Sequence, residues 1–179
     1  MKKEYTLTDD ERYMTLALGE ARRAAAEGEI PIGAVVVCRG QIIASAHNMT
    51  ERLGDVTAHA EMLALTSAAA TLGGKYLTDC TLYVTVEPCP MCAAAIGWAQ
   101  VPRVVYGASD PKRGYSVMYV RTPFHPRCIV ESGVLAGPCS ELVTEFFRSF
   151  SRVRSSMDLT LLSLKPNFSL ISFTEARNQ

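Results

Sequence analysis

Residues 87–92 read E-P-C-P-M-C, at the point where T-L-Y-V-T-V gives way to M-C-A-A-A-I-G-W-A-Q. The first run is β-branched and aromatic, which favours a strand. The second is rich in helix formers, and Pro90 suits a first helical turn. A strand that feeds straight into a helix is the building unit of a sheet with crossover connections. At i and i+3, Cys89 and Cys92 share one helix face, so both sulfurs can reach a single point.

The rest of the chain supplies more elements of the same kind. T-D-D-E at 8–11 is a capping-box pattern, in which Thr8 caps an amide and Glu11 reaches back. It predicts a helix from about Asp9 to Ala26, with Tyr13, Leu16, Ala17, Glu20 and Ala21 at 3.6-period positions and Gly28 ending it. G-A-V-V-V-C, a turn at Arg39-Gly40 and Q-I-I-A-S-A-H predict a hairpin. T-A-H-A-E-M-L-A-L-T-S-A-A-A-T-L predicts a helix closed by Gly73-Gly74. R-V-V-Y-G predicts a strand, and C-S-E-L-V-T-E-F-F-R-S-F a late helix after a loop-rich stretch. The order α-β-β-α-β-α-β, then loop, then α, implies an α/β fold: a mixed sheet with helices on both faces. Ligands in such folds gather where strands end and helices begin.

A chain of 179 residues is one domain's worth, on a prior of roughly 100–200 residues per domain. With 48% hydrophobic and 20% charged residues, it belongs to neither the disordered nor the fibrous class. The opening M-K-K-E-Y-T-L-T-D-D-E-R lacks the apolar stretch of a signal peptide. No apolar run reaches the ~18 residues of a membrane span. The expectation is a cytoplasmic protein without a membrane partner. Its six cysteines should then be thiols or metal ligands, because the cytosol keeps thiols reduced. Cys38, Cys80, Cys128 and Cys139 stand apart among apolar or turn residues and read as small buried hydrophobes.

His59 and Glu61 stand at the start of one helix, and Cys89 follows His59 by 30 residues at the start of another. One imidazole and two thiolates make three ligands, one short of the closed set of a structural zinc and equal to the catalytic arrangement. An ion so held lowers the pKa of a water to about 7. Glu61 lies about two steps of ~100° around the helix from His59 and need not be a ligand; it is placed to carry a proton. Two other chemistries use close-spaced cysteines. A redox C-x-x-C also sits between strand and helix, but that chemistry does not call for H-x-E one helix earlier. A structural zinc needs a fourth ligand, for which His47, His125, Cys38 and Cys128 are the candidates.

H-A-E … P-C-P-M-C resembles the H-x-E … P-C-x-x-C signature of zinc-dependent nucleobase deaminases. The element order is similar to the three-layer cytidine-deaminase fold, with a central mixed sheet of about five strands. E-I-P-I-G-A-V-V-V (29–37), T-A-H-A-E-M-L-A-L (57–65), C-T-L-Y-V-T-V-E-P-C-P-M-C-A (80–93) and R-V-V-Y-G-A-S-D-P-K (103–112) resemble the bacterial tRNA-specific adenosine deaminase family over roughly residues 8–150. The resemblance implies one Zn²⁺ per chain on His59, Cys89 and Cys92, with Glu61 as proton shuttle. It implies conversion of the wobble adenosine of a tRNA anticodon to inosine, and a homodimer. It also implies that Asn48 bonds the flipped-out nucleoside, Asp110 its ribose, and Lys112 the phosphate backbone. Within residues 8–150 the chain departs from the family at Ser109, where an arginine is usual. A further departure is the late helix, with only three arginines in F-F-R-S-F-S-R-V-R.

Charge is consistent with an RNA partner and equally with a solvated face that has none. Residues 1–110 hold 9 Lys+Arg against 13 Asp+Glu, net −4, while residues 111–179 hold 9 against 5, net +4. A basic last third suits a polyanion, and an anticodon loop offers unstacked bases and a 2′-hydroxyl. Two alternatives share the zinc set: a deaminase of free bases or nucleosides of the guanine or cytosine type, and a non-catalytic RNA-binding subunit. The expected organisation is a deaminase domain over 1–154 and a tail over 155–179. In that tail, D-L-T-L-L-S-L-K-P-N-F-S-L-I-S-F predicts a short extra element or an appendage.

Overall fold

The structure, a computed structural model, describes residues 7–156. The apolar tail beyond them lies outside the described residues. The chain divides into two units, Met1–Phe146 and Phe147–Gln179.

The opening helix α1 runs Asp9–Ala26, and both halves of its capping box form at Thr8 and Glu11. The hairpin follows as β1 (Gly33–Cys38) and β2 (Gln41–His47). Its turn is made by Arg39 and Gly40, with φ of 50° and 78°, the left-handed pair that a tight hairpin turn requires. After a single turn α2 (Thr50–Leu53), the chain enters α3 (Ala60–Leu72), β3 (Cys80–Val86) and α4 (Pro90–Trp98). Then come β4 (Arg103–Ala108), a short α5 (Tyr115–Met118), β5 (Ile129–Ser132) and α6 (Ala136–Ser156), which begins in the first unit and ends in the second.

The sheet order is β2-β1-β3-β4-β5. β1 is antiparallel to both β2 and β3, whereas β3, β4 and β5 run parallel. The expected mixed sheet therefore has five strands, the fifth from the loop-rich stretch. Its central strands are buried on both faces, which is why they read as unbroken apolar runs. One face carries Val35, Val37, Tyr83 and Val105, packed on Tyr13, Met14, Ala17 and Leu18 of α1 and on Cys139. The other carries Ala34, Val36, Leu82, Val84 and Val104, packed on Ala60, Ala64 and Ala68 of α3 and on Ala93 and Ile96 of α4. The alanines leave room for α3 to lie close to the sheet. On the opposite face α1 approaches β1 closely at Gly33: a Cβ there would overlap the Ala17 carbonyl and lie 2.5 Å from Ala21 N.

One expectation for α1 fails. Tyr13, Ala17 and Ala21 are buried as expected, but Leu16 is exposed, and Met14, Leu18 and Ala24 complete the buried stripe. The sheet contacts α1 slightly to one side of the line that its period suggested. Among the described residues, no helix is long and apolar enough to cross a membrane.

Candidate active site

Two helix starts meet over the ends of the central strands. His59 occupies the N-cap position of α3, and Cys89 that of α4. Each therefore stands just before its helix rather than on a helical face. Cys92, in the first turn of α4, approaches Cys89 because an N-cap side chain and the third helical residue lie together. Both helices present their positive ends here, which favours thiolates. The 47–49 segment closes one side: Asn48 N donates to Ile32 O (3.0 Å) and Met49 N to Ala58 O (3.0 Å).

His59 Nδ1 lies 3.6 Å from Cys89 Sγ and 3.5 Å from Cys92 Sγ. A tetrahedral ion with Zn–N near 2.1 Å and Zn–S near 2.3 Å places its nitrogen and sulfur ligands about 3.6 Å apart. The spacing thus fits zinc. Among the described residues these three form the group able to hold a metal, their donor atoms within 4.8 Å of one another, and no fourth residue joins them. The sequence's candidates for a fourth ligand lie in other contacts. His47 is held by Glu20 (2.9 Å) and Glu27 (3.5 Å), and His125 Nδ1 accepts from Arg127 N (3.2 Å).

The titration of the group follows from its contacts. Cys92 donates to Cys89 and, with help from His59, holds the Cys89 thiol down at about 4 against the opposing effect of burial. The same bond, with burial, pushes Cys92 up. His59 is raised by its bond to Cys89. A divalent cation bound to such a group takes the place of its exchangeable protons.

Glu61 follows His59 by two residues and is 3% exposed. Burial pushes its carboxyl up to about 7. Its Oε2 is the one buried side-chain oxygen or nitrogen among the described residues without a hydrogen-bond partner. An unpartnered buried carboxylate oxygen is costly unless a ligand or water completes it. Placed against three metal-ligating atoms, it is suited to a proton in transit.

The remaining expected residues have partners of their own. Asn48 is buried, its Nδ2 donating to Glu29 Oε2 (2.9 Å) and Thr50 Oγ1 (3.0 Å). Asp110 is half-buried in the loop after β4, its Oδ1 accepting from the backbone amides of Lys112 (2.9 Å) and Arg113 (3.0 Å). Lys112 is exposed beside it. Two buried acids escaped the sequence reading. Glu29 accepts from Asn48, Thr50 Oγ1 and the amides of Glu51 and Arg52. Glu87 accepts from the amides of Asp110 and Ser116. Their partners are mostly backbone amides some 20–30 residues away, which leave no mark in residue type or spacing.

Residues 7–108 match the cytidine and deoxycytidylate deaminase zinc-binding region. The chain belongs to the cytidine and deoxycytidylate deaminase family. It is 44% identical over 154 residues to a tRNA-specific adenosine deaminase of Bacillus subtilis, covering 84% of this chain and 96% of that protein. It is 46% identical over 140 residues to one of Agrobacterium fabrum, covering 76% and 92%. Among solved structures it is similar to one from a study of A-to-I editing by tRNA:A34 deaminases at the wobble position. That similarity has a TM-score of 0.68 at 46% identity and covers 73% of this chain and 98% of the other. A guanine deaminase from Nitrosomonas europaea has a TM-score of 0.67 at 27% identity, covering 81% and 88%. The family's zinc is thus the resident metal of this deaminase, and the redox alternative for Cys89 and Cys92 is set aside.

Proposed function

We propose that this chain hydrolyses adenosine to inosine at the wobble position of a tRNA anticodon, releasing ammonia. The observation that carries the chemistry is Glu61: a buried carboxylate whose Oε2 lacks a partner, next to three side chains whose spacing fits zinc. Zinc held by His59, Cys89 and Cys92 supplies the Lewis acidity that makes water nucleophilic near neutral pH. Glu61 would take a proton from the attacking water and give it to the departing amine. Buried Asn48 holds the extruded nucleoside, while Asp110 and Lys112 engage its sugar and phosphates. A base inside a stem cannot reach so enclosed a site, whereas an anticodon loop offers an unpaired one.

The choice of tRNA over a free purine is supported by identity of 44–46% to proteins named tRNA-specific adenosine deaminases, against 27% to the guanine deaminase. The deaminase domain is assigned to residues 1–154, with 155–179 as a tail, in a cytoplasmic homodimer. Trp98, the chain's sole tryptophan, is 83% exposed on α4 and gives a second copy an apolar residue to cover. The test is product analysis on an anticodon stem–loop against a panel of free purines and pyrimidines. Inosine in the stem–loop supports the assignment. Ammonia from the small molecules alone refutes it.

A further inference from the structure

Glu87 directly follows β3, on the way to Cys89, and it is 5% exposed. Its amide donates to Ala108 O (2.8 Å) at the end of β4. Its two carboxylate oxygens then turn to the segment beyond β4: Oε2 accepts from Asp110 N and Oε1 from Ser116 N, each at 3.0 Å. Gly114 packs directly against the carboxylate. A Cβ there would lie 2.5 and 2.6 Å from its two oxygens, so only a hydrogen fits. One backbone bond and one from a side chain complete the fastening: Tyr115 N to Pro88 O (2.9 Å) and Tyr119 Oη to Pro90 O (3.2 Å). The whole 110–119 excursion is stitched to the stretch that carries the metal-ligating cysteines. Glu87 is a charged stitch in it, and charge-assisted bonds are the stronger kind.

We propose that Glu87 is a positioning residue for RNA. Its carboxylate sets the distance between the Asp110–Ser116 segment and Cys89. A ribonucleotide held by its sugar and phosphate at Asp110 and Lys112 is thereby delivered with its amine at Glu61. Gly114 belongs to the same device, because any side chain there displaces the carboxylate. The inference rests on the tRNA reading above and adds to it the part that links RNA binding to the chemical centre. Glu87→Gln keeps size but presents an NH₂ to one of two backbone N–H donors, so one bond is lost and the segment shifts.

The test measures inosine formation in an anticodon stem–loop with wild type, Glu87→Gln, Gly114→Ala, Asp110→Asn and the Glu87→Gln/Asp110→Asn pair, with zinc content and Tm determined for each. Both Glu87→Gln and Gly114→Ala should raise KM about tenfold or more while kcat changes less than about threefold and zinc stays at wild-type level. The double variant should lose little more than the worse single one, because the two residues act as a unit. A fall in kcat at unchanged KM, or additive losses, would overturn the inference. So would joint loss of zinc or of the fold in both Glu87→Gln and Gly114→Ala, since Glu87 would then serve the metal site or stability. If wild type itself makes no inosine in the stem–loop, the tRNA reading falls and takes this inference with it. If wild type is active and the variants match it, the inference falls alone.

Discussion

Glu61 combines two properties that are rarely found together in a carboxylate serving only the fold: it is buried, and one of its oxygens bonds nothing. Replacing it by glutamine leaves its shape and the three ligand side chains in place. Glu61→Gln should therefore keep zinc at the wild-type ratio and lose about 10²- to 10⁴-fold in turnover, measured by metal analysis beside a steady-state assay. Unchanged turnover would remove Glu61 from the proton path. His59, Cys89 and Cys92 were legible as a candidate metal group because ligand chemistry restricts residue type and spacing together, and Glu61 as a candidate proton carrier through its place two residues after His59. Asn48 and Asp110 were nameable only through family resemblance: a lone Asn and an S-D-P turn carry no chemistry of their own in sequence. Glu29 and Glu87 were not legible, since a carboxylate facing distant amides looks in sequence like any surface acid.

At the scale of elements, α1 is tied to β4 by Asp10, which accepts from Arg103 Nη1 and Nη2 and from Tyr83 Oη, all at 2.8 Å. The Arg103 guanidinium holds the Asp10 carboxyl below the usual range. A carboxyl lowered on folding adds stability that is complete above its unfolded value near 3.9 and is lost as pH falls toward its folded value. Asp10→Asn should thus cost about 1–3 kcal/mol at neutral pH. Its Tm should fall less steeply than that of wild type on acidification below about pH 4; parallel Tm curves would contradict this role. The limits of α1 were legible to the residue, because the Thr8 and Glu11 box and Gly28 punctuate both ends. β5 was missed: I-V-E-S is four residues long and half-exposed, too short for a period and recruited by the edge of β4. Leu16 was misplaced for a related reason, since the sheet and not the helix chooses which neighbouring row is buried.

For the whole molecule, the metal joins elements that are otherwise separate in sequence. His59 begins α3, and Cys89 begins α4. An ion bound to both stabilises only the folded arrangement, by about 2.7 kcal/mol at a hundred times its dissociation constant. Chelation should therefore lower Tm, and Cys89→Ala should release the metal and make Tm insensitive to the chelator. A variant that still holds one zinc per chain would show that Cys89 is not a ligand. The fold class was readable as a whole because a hairpin followed by strand–helix units admits few right-handed solutions. The central claim is that this zinc centre acts on an RNA adenosine, and one measurement bears on it most directly. The zinc-loaded protein is incubated with an anticodon stem–loop carrying adenosine at the wobble position, and the product nucleosides are identified by mass. Inosine at that position, and at no other adenosine, is the predicted result. An unmodified stem–loop, with ammonia released from free guanine or cytosine nucleosides, would contradict it.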